Sequence, residues 1–331
     1  MDPGANPQHF SHAPEALTLK LGISSCLHGE EVRFNGAHKR DDLVLGTIGR
    51  CVRWVPVCPE VEYGLGVPRE TLGLEGDPEN PRLVQTQTRK DITEGMREWA
   101  KFRLATLYRN NLDGFVAKKN SPSCGVFRVK LYDKNGIPSG ASRGIFADEL
   151  AKAFPLLPTE EEGRLRDPVI RENFIERAFA YHRLKELFKP EATPADLVAF
   201  HTAHKLTLMA HHPDRQRELG RLVADAGTRP LSELVAEYGA LFMETLGVWV
   251  TRGKHTNALT HAFGFVKDFL DARDKEEVLG LIEDYRRGIV PLIVPVTLLK
   301  HHLGRYSVPE WIHQQVYLNP YPKELLLRNH V

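Results

Sequence analysis

Short apolar runs alternate with amphipathic stretches over the first half of the chain. The apolar segments 19–27 and 53–61 have the length of strands, and a third segment, 112–120, leads directly into Ser121. The intervening segment 91–111 is typical of a helix, with Asp91 as its predicted N-cap and Glu94 as the partner in a capping box. Strand, helix and strand in this order favour a parallel sheet of the α/β type.

The second half of the chain has a different pattern, which is helical almost throughout from about Asp167. Pro, Gly and Asp stand at the predicted helix ends. We therefore predict an α/β domain over residues 18–160, with a mainly parallel, Rossmann-like sheet, followed by an all-α domain over residues 161–331. Residues 1–17 lack the basic-then-apolar pattern of a signal peptide and are expected to form a flexible leader.

Composition narrows the class of protein. The 331 residues are 42% hydrophobic and 26% charged, with a net charge of +1, so any nucleic-acid surface must be a local patch. The most apolar run, residues 288–299, is too short to cross a bilayer and contains two prolines. These features predict a cytoplasmic protein with no membrane partner and no obligate protein partner. Its four cysteines do not make a disulfide scaffold.

Three of the four cysteines share one context. Cys26, Cys58 and Cys124 each follow a predicted strand, and Gly or Pro stands nearby. Ligands bind at the carboxyl ends of parallel strands, so three such thiols can converge at one sheet edge. Three interpretations are possible at this point: a zinc site, an iron–sulfur cubane with one iron free of protein ligands, and three unrelated thiols. Cys51 lies in the segment "TIGRCVRWV", which lacks the turn pattern that follows the other three cysteines, and is interpreted as a packing residue.

The motifs around these cysteines carry a family resemblance. The segments "SSCLHGEEVRFNG", "VPVCPEVEYGLGVPRE", "KDITEGM" and "KKNSPSCG" resemble the TudS family of thiouracil desulfidases. The segments "AHKLTLMAHHP", "RELGRLVA", "RGKHTNALTHAFGFVK" and "LKHHLGRY" resemble the YbgA-type helical domain, and the whole chain is similar to the two-domain RudS desulfidases. The resemblance implies a 4Fe–4S cluster with three cysteine ligands, Cys26, Cys58 and Cys124, and one open iron. It also implies hydrolytic, non-redox removal of sulfur from a thiolated pyrimidine, with 4-thiouridine in tRNA as the substrate.

Two polar residues stand beside the predicted ligands. Glu60 comes two residues after Cys58, and Ser121 comes three residues before Cys124. The TudS resemblance places a catalytic Glu and a catalytic Ser at these positions, where they would move protons. The alternatives are a turn carboxylate that accepts backbone N–H groups and a serine that caps the Ser-Pro-Ser turn.

Several cations and two histidines are candidates for binding the substrate or RNA. Residues 151–331 contain 24 Lys and Arg against 24 Asp and Glu, together with 11 of the 15 histidines, so phosphate contacts there must be local. The candidates are Arg33, Lys118, Lys119, Lys205, Arg252, Lys254, His255, Lys300, His301 and Arg305. The alternatives are solvated cations, structural histidines, and a zinc site that joins His204 to His211 or His212.

Four functions compete at this stage. The leading hypothesis is a cluster-dependent desulfidase that acts on 4-thiouridine in tRNA, and the second is the same chemistry on free 2-thiouracil or a thiolated nucleotide. The third is a non-catalytic iron–sulfur or zinc RNA-binding module, and the fourth is a redox sensor that uses Cys51 as a disulfide partner. Glu60 and Ser121 beside only three ligands favour an enzyme, because a binding module needs no open iron.

Overall fold

The computed structural model describes residues 18–331, which divide into two units between Lys185 and Glu186. The expected leader, residues 1–17, lies outside the described residues. The division falls later in the chain than residue 160, because the helix Pro168–Leu184 packs with the first unit.

The first unit contains two four-stranded sheets. Its strands are β1 (Leu19–Ser24), β2 (Val52–Val57), β3 (Leu72–Asp77), β4 (Asn80–Gln85), β5 (Gly114–Ala117), β6 (Val129–Tyr132), β7 (Pro138–Ser142) and β8 (Thr159–Glu161). Its helices are α1 (Ser25–His28), α2 (Pro59–Glu62), α3 (Thr93–Asn110), α4 (Ile145–Ala153) and α5 (Pro168–Leu184).

The first sheet is entirely parallel, as predicted, with strand order β2-β1-β5-β8. Its central strands are buried on both faces, since Leu21, Ile23, Phe115 and Val116 have almost no exposed surface. The three predicted strands correspond to β1, β2 and β5, whereas β8 was not predicted. This order brings the carboxyl ends of β2, β1 and β5 side by side at one edge.

The second sheet, also not predicted, has strand order β4-β3-β6-β7. Strand β3 pairs antiparallel with β4 and parallel with β6, and β6 pairs antiparallel with β7. Leu74, Leu83 and Leu131 from this sheet pack with Met96 of α3 in a second small core. The sheet therefore braces α3, which lies between β4 and β5 in the chain.

The predicted helix is α3, but its capping box is wrong. The helix begins at Thr93, its N-cap position is Ile92, and Asp91 precedes both. The Asp91 carboxylate accepts hydrogen bonds from the Thr93 backbone N–H at 3.0 Å and from its hydroxyl at 2.6 Å. Asp91 therefore fixes the turn before the helix instead of capping it.

A buried carboxylate anchors α5 to the first sheet. Asp113, just before β5, accepts hydrogen bonds from the Lys20 backbone N–H at 2.7 Å, from His182 at 2.9 Å and from Lys185 at 2.7 Å. Burial by itself raises the pKa of Asp113, but the His182 hydrogen bond and the Lys185 charge outweigh burial and hold the pKa below its ordinary value. This network explains why α5 belongs to the first unit.

The second unit, Glu186–Val331, is helical in all of its described elements, which confirms the all-α prediction. Its helices are α6 (Pro194–Ala203), α7 (Lys205–His211), α8 (Pro213–Ala224), α9 (Leu231–Leu246), α10 (Arg252–Phe263), α11 (Ala272–Arg287), α12 (Ile293–Arg305) and α13 (Glu310–His313). A core that includes Leu206, Leu259, Ile282, Leu299 and Tyr317 joins α7, α10, α11 and α12. Among residues 18–331, no helix is both long and apolar enough to span a membrane.

Candidate active site

Three cysteines lie at the adjoining carboxyl ends of three parallel strands. Cys26 is in α1 directly after β1, Cys58 lies between β2 and α2, and Cys124 lies in the loop after β5. All three line one cavity of about 230 Å³. Cys51 precedes β2, at the opposite end of that strand, and does not line this cavity. The strand order thus brings together the three thiols that share a sequence context and leaves out the fourth.

The cavity holds these thiols in a poorly hydrated setting. Burial, together with the neighbouring Cys58, raises the pKa of Cys26 to about 11. Burial also raises the pKa of Cys58, and it raises that of Cys124 well above the ordinary value. Cys26 and Cys58 each add to the rise at Cys124, so the three groups influence one another's charge. A bound cation would reverse this preference by stabilising the thiolates, with release of protons.

The loop that carries Cys124 is fixed by the end of β8. Glu162 accepts hydrogen bonds from the Lys119 backbone N–H at 2.7 Å and from the Lys118 ammonium at 2.5 Å. On the far side of the loop, Glu161 accepts hydrogen bonds from the backbone N–H groups of Val126 at 2.9 Å and Phe127 at 3.0 Å. Two adjacent carboxylates therefore hold the cysteine loop at both of its ends.

Close backbone packing completes this loop. A Cβ atom at Gly144 would lie 2.5 Å from the Ser123 carbonyl oxygen, so only glycine lets the start of α4 approach so closely. The Gly144 N–H donates to the Gly125 carbonyl at 2.8 Å. The position of Cys124 is therefore set by backbone contacts as well as by carboxylates.

Glu60 lies in the first turn of α2 and lines the cavity. Its Oε2 accepts hydrogen bonds from Arg69, from Nε at 2.9 Å and from Nη2 at 2.6 Å. Its Oε1 accepts a hydrogen bond from the Ser123 hydroxyl at 3.1 Å. The ion pair and the serine together hold the carboxylate at the wall of the cavity.

Ser121 lines the cavity, but the contacts of its oxygen are those of a turn. Oγ accepts hydrogen bonds from the backbone N–H groups of Ser123 at 3.3 Å and Cys124 at 3.1 Å. Because both contacts use the oxygen as an acceptor, the hydroxyl hydrogen remains available to donate. Ser123, two residues on, is the serine that contacts Glu60.

The other predicted residues near the cysteine turns also line the cavity. Lys118 is engaged with Glu162, whereas Lys119 is exposed. Arg33 lies over the Phe34 ring, with its guanidinium carbon 5.5 Å from the ring centroid. The Phe34 ring and three cations, Arg33, Lys118 and Lys119, therefore stand around the cavity.

The predicted phosphate-binding residues of the second unit fall into two groups. Arg252, His301 and Arg305 are exposed, and Lys205 is half-buried with its ammonium 5.5 Å from the Trp311 ring centroid. The others have structural contacts.

Lys254, Lys300 and His255 have contacts within the protein. The Lys254 ammonium donates to the carbonyl groups of His211 at 2.8 Å and Trp249 at 3.4 Å. The Lys300 ammonium donates to the Asn319 side chain. His255 is buried and shares a 2.9 Å hydrogen bond with Tyr317, so it lies outside any exposed surface.

The histidines considered for zinc also have structural partners. Nδ1 of His204 lies 2.8 Å from the Phe200 carbonyl, and Nδ1 of His211 lies 2.6 Å from the Val248 carbonyl. His212 accepts a hydrogen bond from the Arg215 backbone N–H at the start of α8. In the part of the chain that the structure describes, no three His, Cys, Asp or Glu side chains are grouped to hold one metal ion.

Sequence reasoning missed three residues of the site: Arg69, Phe34 and Ser123. Arg69 and Phe34 stand in the quoted motifs "GVPRE" and "VRFNG", but neither motif reveals which side chain an arginine or a phenylalanine will meet. Ser123 adjoins Cys124, and nothing in the sequence indicates that its hydroxyl meets Glu60.

Comparisons with known proteins divide the chain in the same way. A family model described as 2-thiouracil desulfurase matches residues 21–162, and one described as a protein of unknown function, DUF1722, matches residues 205–322. The uncharacterized protein YbgA of Escherichia coli (strain K12) is 30% identical over 154 residues, which cover 46% of this chain and 90% of that protein. The uncharacterized protein YbbK of Bacillus subtilis (strain 168) is 33% identical over 108 residues, which cover 31% of this chain and 71% of that protein.

A solved structure described as the 4Fe–4S-dependent thiouracil desulfidase TudS is 27% identical. The alignment covers 45% of this chain and 94% of that one, with a TM-score of 0.37.

Proposed function

The chain belongs to the families of the 2-thiouracil desulfurases and of YbgA, fused in one polypeptide, and we propose that it removes sulfur from a thiolated pyrimidine. The observation that carries the proposal is the cavity in which three strand ends place Cys26, Cys58 and Cys124 beside Glu60. Soft thiolate donors and a proton-accepting carboxylate are the groups that exchange of sulfur for oxygen requires.

The donor set fits an iron–sulfur cluster held by Cys26, Cys58 and Cys124. Cysteine thiolates are the usual ligands of such clusters, and a cubane places each thiolate on a different iron. The three sulfurs therefore need to face one cavity, as they do here, and need not meet around one ion. When bound, a cluster with one iron free of protein ligands would supply a soft Lewis acid for the thiocarbonyl sulfur.

Glu60 and Ser121 would transfer the protons. In the net reaction, water adds its oxygen to the thiocarbonyl carbon, the carbon–sulfur bond breaks, and hydrogen sulfide leaves without any change in electron count. The Glu60 carboxylate would accept a proton from the attacking water, since it faces the cavity and is ion-paired with Arg69. The Ser121 hydroxyl hydrogen would be donated toward the ring or the leaving sulfur.

The finer proposal is that the substrate is 4-thiouridine in tRNA. It is supported by the resemblance of the whole chain to two-domain tRNA desulfidases and by the exposed cations Arg252 and Arg305 in the helical unit. The second candidate substrate is free 2-thiouracil, which is favoured by the family description and by a cavity of about 230 Å³. Both candidates use the same cavity chemistry.

The test is sulfide release by protein reconstituted with iron and sulfide without oxygen. The protein is incubated separately with tRNA that contains 4-thiouridine and with free 2-thiouracil, and both sulfide and the oxygen-containing product are measured. We expect Cys26→Ser, Cys58→Ser and Cys124→Ser each to lose most of the iron and the activity, while the control Cys51→Ser keeps both. Iron loss confined to Cys51→Ser, or no sulfide from either substrate, would contradict the proposal.

A further inference from the structure

Arg69 is a buried cation beside the cavity that uses every nitrogen of its guanidinium. Its side chain is 5% exposed. Besides its two hydrogen bonds to Glu60, it donates from Nη2 to the Val32 carbonyl at 2.8 Å and from Nη1 to the Gly66 carbonyl at 2.9 Å. The guanidinium therefore acts inside the cavity wall, where it joins α2 to two loops.

Arg69 and a second donor hold the two oxygens of Glu60. Arg69 binds Oε2, and the hydroxyl of Ser123, which has no exposed surface, donates to Oε1 at 3.1 Å. A carboxylate held at both oxygens cannot rotate freely about its last torsion. Orientation of this kind matters because a displacement of about 1 Å in a reacting group can cost roughly 100-fold in rate.

The same arginine fixes the loop that carries Arg33 and Phe34. The Val32 carbonyl accepts from Arg69 Nη2 and also from the Cys58 thiol, whose sulfur lies 3.9 Å away. The backbone N–H of Arg69 donates to the Phe34 carbonyl at 2.9 Å. One residue thus connects the candidate base to the loop of the cavity that carries an aromatic ring.

We infer that Arg69 is the positioning residue of this site, which sets the orientation of Glu60 and the place of the loop 30–36. Only the expected change in kcat rests on the proposed desulfuration. In this role Arg69 acts through Glu60 and through the loop. Lysine cannot replace it, because the three donors of an ammonium share one nitrogen and cannot span the separate acceptors that the planar guanidinium reaches with Nε, Nη1 and Nη2.

The kinetic test compares Arg69→Lys with Arg97→Lys in the reconstituted enzyme. Arg97 is a matched control, because it also forms an ion pair with a buried carboxylate in the first unit, Glu149 at 2.6 Å, but does not line the cavity. We expect kcat to fall about 10- to 100-fold in Arg69→Lys, with KM within about threefold and iron content near that of the wild type. Arg97→Lys should keep kcat within about twofold.

A double substitution separates positioning from general damage. If Arg69 acts through Glu60, then Arg69→Lys should lower kcat by less than about twofold in a Glu60→Gln background, since residues that act as a unit are not additive. A full multiplicative loss in that background would overturn the inference. So would an unchanged kcat in Arg69→Lys alone.

Hydrogen exchange of the metal-free protein gives a readout that does not depend on activity. We expect the backbone amides of residues 30–36 to exchange at least about fivefold faster in Arg69→Lys than in the wild type, and at the wild-type rate in Arg97→Lys. If Arg69→Lys does not fold, Arg69→Gln is measured in the same way. Should the wild type release no sulfide, the proposed function fails, and the exchange rates alone decide: faster exchange supports the positioning role, and unchanged exchange overturns it.

Discussion

His201 offers a measurement of the helical unit that does not depend on any cofactor. It lies in α6, is 4% exposed, and shares a 3.2 Å hydrogen bond between its Nδ1 and the hydroxyl of the buried Tyr238. Burial lowers the pKa of His201 to about 4 from an ordinary 6.5, and the charge of Lys205 adds to the effect. The imidazole is therefore neutral in the folded protein at physiological pH.

This shift makes stability depend on pH with a definite sign. Above pH 6.5 the imidazole of His201 is neutral in both the folded and the unfolded chain, so no penalty arises. As the pH falls from 6.5 toward 4, the unfolded chain takes up a proton that the folded chain excludes, and the free energy of unfolding decreases. The separation of the two pKa values corresponds to about 3 kcal/mol when the transition is complete, and to about 2.5 kcal/mol at pH 4.5.

The substitution His201→Gln removes the titration while leaving an amide that can meet the Tyr238 hydroxyl. Urea unfolding at pH 7.5 and pH 4.5 should show that the wild type loses about 2–3 kcal/mol more than the variant between these two values. Nuclear magnetic resonance of ring-labelled histidine, with the variant used to assign the signal, gives the pKa directly. A ring that titrates near 6.5, or equal losses in the two proteins, would refute the reasoning.

The remaining predictions concern the site, the fold and the surface of the helical unit. Glu60→Gln should keep the iron but lower kcat roughly 100-fold or more. Ser121→Ala should lower kcat and also lower the melting temperature, because the Ser121 oxygen accepts hydrogen bonds from two backbone N–H groups. Turnover within about threefold of wild type in both Glu60→Gln and Ser121→Ala would contradict the proton-transfer roles. Asp113→Asn should lower the free energy of unfolding by about 1–3 kcal/mol at pH 7. The difference in stability between wild type and variant should shrink as the pH falls below about 4 toward the lowered pKa of the folded state. A difference that persists at pH 2 would count against this role of Asp113. Arg252→Glu with Arg305→Glu should weaken sulfide release from tRNA, more so at low salt, and spare a free thiolated base, whereas equal loss on both substrates would point to damage elsewhere.

The parts of the fold that were predicted depend on local pattern. Strands β1, β2 and β5 are short apolar runs that end in turns, and the chain order of strand, helix and strand was enough to imply parallel pairing. The carboxyl ends of parallel strands then bring Cys26, Cys58 and Cys124 together without any knowledge of the loops. In the second sheet, β7 is an exposed strand with the sequence "PSGAS", which has no apolar alternation to detect.

The site residues that were missed depend on contacts between distant positions. Glu60 and Ser123 are 63 residues apart, and the hydrogen bond between them exists only because β2 and β5 flank β1 in the sheet. Ser121 and Ser123 are equivalent in the sequence, as two hydroxyls in one turn. The turn geometry assigns the first to backbone N–H groups and the second to the carboxylate.

The contacts of each cation decide whether its substitution can report on RNA binding. Lys254 was predicted to contact phosphate, but its ammonium donates to the His211 carbonyl, 43 residues earlier, at the end of α7. A carboxylate in its place would face the carbonyl oxygens that the ammonium now satisfies, so charge reversal there would damage the helix end. Lost activity of such a variant on tRNA would then say nothing about RNA. Arg252 and Arg305 are exposed, so their reversal changes the surface charge while the buried contacts of the unit remain, and these two positions can separate RNA recognition from folding.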